Sequence, residues 1–434
     1  MISVALTPIA HAVGVSAATV IWLVAGLYLV SAVSQPAMGK LADAFGPRRI
    51  YLAGLAIVAV AGVVPLLFPT FAGVLAARLL LGLGTSAAYP SAMTLISDQS
   101  KRLDRDPPQI LLSGLSISSL VTASIGPVLG GVLIESFGWQ SIFLVNVPLA
   151  LTAFVLAWFW LPADDTRVSA AGGDRARTGS AWRAIDPVGL VLFALTIVTT
   201  LLFLLDLRSG LYWLIPIAVA SLITLIWWER RVPLPFIDVR MLARNGPLSR
   251  TYLRLMLVYT AAYLVVYGMS QWLQSVVGLD SSAAGLAQLP AAVIAGIAST
   301  LVARTKVVRI PLLISASAPL VGGLLIAFLT STSPMWFILI TIALFGIPQG
   351  LSSISNQAAL YRQAPKDQIG VAAGLSRTSV QLGAIVASSI IGLVFGQEPT
   401  DAGINTIGWI VFGLAAAAVT LTALDRSLRS AARP

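Results

Sequence analysis

Gly39-Lys-Leu-Ala-Asp-Ala-Phe-Gly-Pro-Arg-Arg49 stands between two uncharged apolar runs, 21–38 and 50–68. Each flank has about the length at which a helix crosses a hydrocarbon layer of roughly 30 Å. The charged stretch therefore reads as the connection between two membrane spans. Outward from it the pattern repeats, giving thirteen complete spans near 21–38, 50–68, 71–96, 110–134, 139–161, 188–205, 211–228, 252–277, 283–303, 310–329, 335–360, 369–395 and 404–424. Lipid offers no hydrogen-bond partner to a backbone, so runs of this length must be helices. The period-2 alternation of a membrane barrel is absent. The fold class expected is an all-α polytopic membrane protein.

Composition agrees, because 434 residues of which 57% are hydrophobic and 10% charged cannot coat a soluble globule. Charge placement fixes the orientation. With the connection at Gly39 to Arg49 in the cytoplasm and sides alternating, 23 of the 27 basic residues fall inside and one, Arg208, outside. The net charge of +10 thus reports topology and implies no nucleic-acid partner. The C-terminus is expected in the cytoplasm. No cysteine and one histidine, His11, leave no thiol site or multi-histidine metal centre, and no cofactor is implied.

Two polar stretches divide the chain. Residues 162–187 read as a cytoplasmic linker ending in Asp186-Pro187, a cap followed by proline at the first helical position. Residues 229–250 read as a segment lying along the membrane surface. They bracket two helices, 188–228, which separate an N-terminal bundle, 1–161, from a C-terminal one, 251–434. Six helices per bundle would need one more span at the start, and Met1 to His11 supplies an apolar stub of it.

In the first connection, Gly39 and Gly46 allow a close turn, Asp43 can cap a helix or pair with a guanidinium, and Arg48 and Arg49 can hold a headgroup phosphate or a partner carboxylate. Such a latch could favour one of two helix packings; an ordinary basic turn would look similar. Arg78 and Arg377 lie within apolar helices, where a charge costs at least about 2.5 kcal/mol, so each should face a polar cavity or a partner unless it snorkels to an interface. Arg254, nearer a helix end, reads as an interfacial anchor. Gly126-Pro127-Val-Leu-Gly130-Gly131 combines a helix-kinking proline with glycines on one face, suited to a pivot or tight seam. Gln35, Tyr267, Gln271, Gln349 and Asn356 could line a cavity or simply bond neighbouring helices. Gly82-Leu-Gly84 follows no strand and is no dinucleotide loop, and no phosphate-binding Gly-Lys-Ser/Thr motif occurs, so uphill work would draw on an ion gradient. No convergent acid/base set points to an enzyme.

These motifs, in order, resemble the major facilitator superfamily. Gly39 to Arg49 is similar to its loop motif, Arg78 to Gly84, with Gly82, to its fourth-helix motif, and Thr122 to Gly131 to its fifth-helix antiporter motif. Trp139-Gln-Ser-Ile-Phe-Leu-Val-Asn146-Val-Pro148 and the stretch 370–392 resemble the sixth and thirteenth helices of the 14-span drug:proton antiporters. Ala44, Pro47 and Thr122 depart from the pattern. The resemblance implies two six-helix bundles plus two inserted central helices in a bacterial plasma membrane. It implies a monomer that exports small amphipathic molecules in exchange for protons, with lipids around it, Arg78, Gly82 and Arg377 in translocation and Gly126 to Gly131 as seam. A specific metabolite exporter and a non-transporting paralogue are the alternatives. The stub at Ser3 to Ile9 resembles the end of the family's first helix, whose proton-coupling aspartate would lie upstream of Met1, and an upstream start is expected.

Overall fold

The computed structural model describes residues 1–103, 109–164, 186–205, 211–232, 235–236, 239–303, 308–364 and 369–428. Most of the linker 162–187 and the connection holding Arg208 lie outside them. Every regular element described is helical. In chain order these are α1 (Ile2–Val13), α2 (Ala17–Val20), α3 (Trp22–Phe45), α4 (Pro47–Leu67), α5 (Phe71–Thr85), α6 (Ala88–Leu103), α7 (Gln109–Phe137), α8 (Ser141–Leu144), α9 (Asn146–Trp160), α10 (Pro187–Leu205) and α11 (Leu214–Glu229). Then follow α12 (Val239–Arg244), α13 (Gly246–Ser275), α14 (Ser281–Leu286), α15 (Leu289–Ala303), α16 (Arg309–Ile326), α17 (Met335–Leu344), α18 (Gly346–Gln363), α19 (Ile369–Phe395) and α20 (Asp401–Leu424).

All thirteen expected spans are helical, but by length and hydropathy eleven qualify among the described residues. The two that fall short are α7 and α10, whose described apolar stretches are Ile125–Phe137 and Pro187–Thr200; α1, the stub, is a third short apolar helix. Several spans are two helices in series, with a short break between them, as at Phe345 between α17 and α18. Side-chain caps set the starts: Thr70 accepts from Gly73 N, Asn245 from Leu248 N, and Thr400 from Gly403 N.

The stretch at Gly39 to Arg49 differs from the expected loop. Helix α3 continues through Gly39 to Phe45, so the chain reverses at Gly46 alone, whose φ of +96° no L side chain adopts comfortably, and Pro47 begins α4. A longer turn is unnecessary because the fixed φ of proline is already helical.

The chain divides into two compact units. One comprises Gly26–Gly114 and Phe143–Met241. Its helices approach through glycines: a Cβ on Gly54 would lie 2.6 Å from the Gly84 carbonyl oxygen, and one on Gly82 2.6 Å from that of Leu27. Between lipid-exposed helices the attraction is dispersion and interhelical hydrogen bonding, both of which demand such proximity; the Ser31 hydroxyl accordingly donates to Gly82 O at 3.1 Å.

The other unit comprises Met1–Ala25, Leu115–Ile142 and Leu242–Pro434. Helix α13 is its axis, with 67% of its apolar window buried, packed among α18, α19 and α20. Here Arg254 overturns the expectation of an interfacial anchor. It is 1% exposed, donates from Nε to Asn356 Oδ1 at 2.9 Å and from Nη2 to Thr251 Oγ1 at 2.9 Å, and holds Nη1 3.7 Å from Asp425 Oδ2. Asp425 also pairs with Arg250 Nη2 at 3.1 Å. A guanidinium buried this deeply persists only where a carboxylate and oriented oxygens replace its water.

Candidate functional site

Polar residues recur at helical spacing on three helices of the α13 unit. On α13, Tyr259, Tyr263 and Tyr267 follow one another every four residues, which stacks them along one face. Their ring centroids are 6.1 Å and 5.7 Å apart, the second pair lying within 7° of parallel. On α18, Gln349, Ser353 and Gln357 repeat the same spacing, the first and last half-buried and Ser353 exposed. On α19, Arg377 is half-buried. Tyr259 lies near both other helices, close enough to feel the Ser353 hydroxyl and the Arg377 charge. Amides, hydroxyls and a guanidinium left partly open on spans this apolar would be costly against lipid, which makes the face they share a candidate water-facing wall.

The expected cavity residues separate accordingly. Tyr267, 4% exposed, closes the tyrosine series, and Gln349 opens the α18 series. Asn356 is not on the wall, for its amide is committed to Arg254 and to Ser352, at 2.7 Å from the Ser352 hydroxyl. Gln271 is 1% exposed, more than a full turn beyond Tyr267 along α13, with no hydrogen-bond partner for Nε2 among the described residues. In the other unit Gln35 is half-buried on α3, and Arg78 is buried on α5, 9% exposed, one turn before Gly82.

The Gly126–Gly131 stretch lies against other backbone. A Cβ on Gly126 would stand 3.2 Å from Met1 N, one on Gly130 2.6 Å from Met1 Cα, and one on Gly131 2.5 Å from the Ser281 carbonyl oxygen. From α14, a Cβ on Gly285 would stand 2.6 Å from Pro127 O. Backbone thus meets backbone on both sides, the arrangement of a tight helical seam.

At the start of α4 the arginines meet a partner carboxylate from elsewhere in the chain. The side chain of Asp43 lies outside the described residues, while Asp164, 9% exposed, accepts from Arg48 N at 3.3 Å and Arg49 N at 3.0 Å. These are amides that a helix leaves without internal partners, and the helix dipole adds to the attraction. The Arg49 guanidinium is 4.0 Å from Asp164 but two-thirds exposed, so that ion pair contributes little. Arg48 instead lays its guanidinium over the Trp158 ring, 5.5 Å from the centroid, and donates to the Trp158 carbonyl.

A second buried charge cluster ties the inserted pair, α10 and α11, to the end of α3. Asp186, 4% exposed, accepts from Gly189 N at 3.1 Å, Trp228 Nε1 at 2.9 Å and Phe236 N at 3.2 Å. Glu229, 1% exposed, places a carboxylate oxygen on the same side of Gly189 as Asp186 does. Lys40 faces both acids, donating to Pro235 O at 2.9 Å with its ammonium 5.6 Å from the centre of the Phe236 ring. Phe236, expected among headgroups, is 3% exposed against Phe193. Asp186 makes the cap bond expected of its place before Pro187, to Gly189 N; nothing in the sequence singles out Asp164, Glu229 and Asp425 except their position, each within four residues of a span end.

Comparison with known proteins places this arrangement. The chain is 33% identical over 422 residues, 95% of its length and 89% of the relative's, to the uncharacterized MFS-type transporter YwoD of Bacillus subtilis (strain 168). It is 26% identical over 421 residues to the methylenomycin A resistance protein of the same organism, covering 92% of this chain and 84% of that one. It is 27% identical over 390 residues to the multidrug efflux pump LfrA of Mycolicibacterium smegmatis (strain ATCC 700084 / mc(2)155), covering 88% of this chain and 74% of that one. The crystal structure of the nucleoside transporter NupG superposes with a TM-score of 0.59 at 11% identity, covering 100% of this chain and 96% of that one, a likeness of fold alone. The family model described as Major Facilitator Superfamily matches residues 1–388. With the family model matching most of its length and a relative at 33% identity over 95% of it, the chain belongs to the Major Facilitator Superfamily of membrane transporters.

Proposed function

We propose that the chain exports small amphipathic compounds across a bacterial plasma membrane by alternating access, in exchange for protons, and that it belongs to the 14-span drug:proton antiporters. The observation that carries this reading is the set Tyr259, Tyr263, Gln349, Ser353 and Arg377, half-buried or exposed side chains of mixed aromatic and polar character on otherwise apolar spans. Its composition suits molecules with an apolar body and a polar edge. Relatives bearing the names methylenomycin A resistance protein and multidrug efflux pump support the class of substrate. The absence of a phosphate-binding Gly-Lys-Ser/Thr motif supports an ion gradient as the source of work.

In this reading one face of the bundle closes at the seam of Gly126, Pro127, Gly130 and Gly131 against α14. The cytoplasmic side closes where Asp164 holds the start of α4 beside Arg48 and Arg49. Arg78 and Arg377 are the mid-membrane charges that substrate or proton movement would sense. Reconstitution into proteoliposomes with an imposed pH gradient tests the proposal. Gradient-driven accumulation of an amphipathic dye, lost when the gradient is collapsed, is the expected result; equal movement with and without the gradient would remove proton exchange.

A further inference from the structure

The Asp186 end of the inserted pair sorts its charges by sign. Its described acids are turned inward, Asp186 at 4% and Glu229 at 1% exposure, and Lys40 faces both. The arginines are on the surface. Arg230 and Arg231, the two residues that follow α11, are exposed, and no carboxylate among the described residues pairs with either. Asp238 lies outside the described residues. The Arg231 guanidinium stands 4.0 Å from the centre of the Trp227 ring, itself 49% exposed. Stacked in this way, a guanidinium keeps its in-plane N–H donors for an anion. The helix leading to this rim is open along one side. Ile215, Val219, Leu222, Ile223 and Trp227 are all exposed and recur at the spacing of a single helix face, which runs on into Arg230 and Arg231.

We infer that the outer face of α11 is a docking site for an anionic phospholipid, with the acyl chains along Val219 to Trp227 and the phosphate at Arg230 and Arg231. The helix from Val219 to Trp227 covers about 12 Å, most of the roughly 15 Å that the chains of one leaflet fill. With the apolar stripe among the chains, the arginines therefore lie at headgroup depth. Any phospholipid satisfies the stripe, so the rim decides which one stays. Phosphatidylglycerol brings a phosphate and no cation, and a guanidinium binds such an oxygen pair through two parallel N–H donors. Phosphatidylethanolamine brings the same phosphate with an ammonium, for which the rim holds no exposed carboxylate among the described residues. A merely basic surface would gather anionic lipid diffusely around the protein, whereas a docking site enriches it on this face alone. The inference concerns the lipid around the chain and is independent of what the chain exports.

The test uses the full chain, which has no native cysteine, carrying an NBD fluorophore at Ile223→Cys or, at the other end of the same face, at Ile215→Cys. Each is reconstituted in phosphatidylethanolamine vesicles holding spin-labelled phosphatidylglycerol or spin-labelled phosphatidylcholine at equal mole fraction, the spin label quenching NBD at short range. At Ile223→Cys the phosphatidylglycerol should quench about threefold more effectively, and at Ile215→Cys the two lipids should quench alike. Arg230→Gln with Arg231→Gln should bring the two lipids level at Ile223→Cys. Arg426→Gln, which removes an exposed arginine of the other unit, should leave the preference at full size. Equal quenching by both lipids at Ile223→Cys, the same preference at both labels, or a preference that survives loss of both arginines would overturn the inference. Should the double variant fail to elute as a monodisperse species, Arg231→Gln alone decides, and its preference must fall by at least about half.

Discussion

Replacing Asp425 by asparagine removes one formal charge from a site where Arg254 is 1% exposed and the Asp425 side chain is fully buried. Breaking a buried ion pair by taking away one member costs about 3–5 kcal/mol, since the remaining charge has lost its compensation. Three features place this case at the lower end, about 3 kcal/mol. Arg254 keeps its hydrogen bonds to Asn356 and Thr251, its contact with Asp425 is 3.7 Å with no hydrogen bond, and the Arg250 side chain is 41% exposed and can turn to water. For a folded unit of roughly 250 residues, each kcal/mol moves the midpoint by about 2–4 °C. Asp425→Asn should therefore lower the apparent melting temperature in detergent by at least about 6 °C. The assay is loss of the monodisperse peak after heating, compared across variants. Arg254→Met in the Asp425→Asn background should recover most of the loss, because removing both charges leaves no orphan. A single variant that melts with the unmodified protein, or a double variant no more stable than the single, would refute the claim that this pair is charge-compensated.

Further outcomes follow from other contacts. Gly131→Ala places a methyl group 2.5 Å from the Ser281 carbonyl oxygen, so α7 and α14 must separate at a cost of about 1–3 kcal/mol; a cysteine introduced at Ser282 should then label faster, cleanly because the chain has no native cysteine. Asp164→Asn should lower stability by about 1–2 kcal/mol through weaker capping of α4, read as an earlier melting transition, whereas Arg49→Gln should change it by less than about 0.5 kcal/mol. Lys40→Met removes an ammonium that faces buried Asp186 and Glu229, and protease sensitivity of the inserted helix pair should rise severalfold; unchanged digestion would count against the cluster.

Spans are legible because hydropathy and length act through a solvent that admits only satisfied backbones, and the chain has no alternative to helices at those places. The connection read over 39–49 narrows to a reversal at Gly46, and the acid that takes the α4 amides, Asp164, lies more than a hundred residues away. Sequence spacing carries no information about such a partner. Arg254 misleads for a related reason: nearness to a helix end suggests an interface, yet the last span ends beside it and supplies Asp425. Gln349 and Asn356 look alike in the sequence, each a polar residue in an apolar helix, yet Gln349 is half-buried while Asn356 is buried against Arg254. The repeat at four-residue spacing marks the candidate face, and it gains meaning once the helices are known to be neighbours.

Lys40 gives the inserted pair a mooring. Much of the outer surface of α11 is open to lipid, with 17% of its apolar window buried, while α10 and α11 clasp each other through Thr196 and Ser221 at 3.0 Å. A hairpin held so loosely along its length and so firmly at its Asp186 end behaves as a pendant on a short chain. Changes in bilayer thickness or tension would swing its far end, and the ammonium of Lys40 is where that motion would pull on the helix that leads into Gly46.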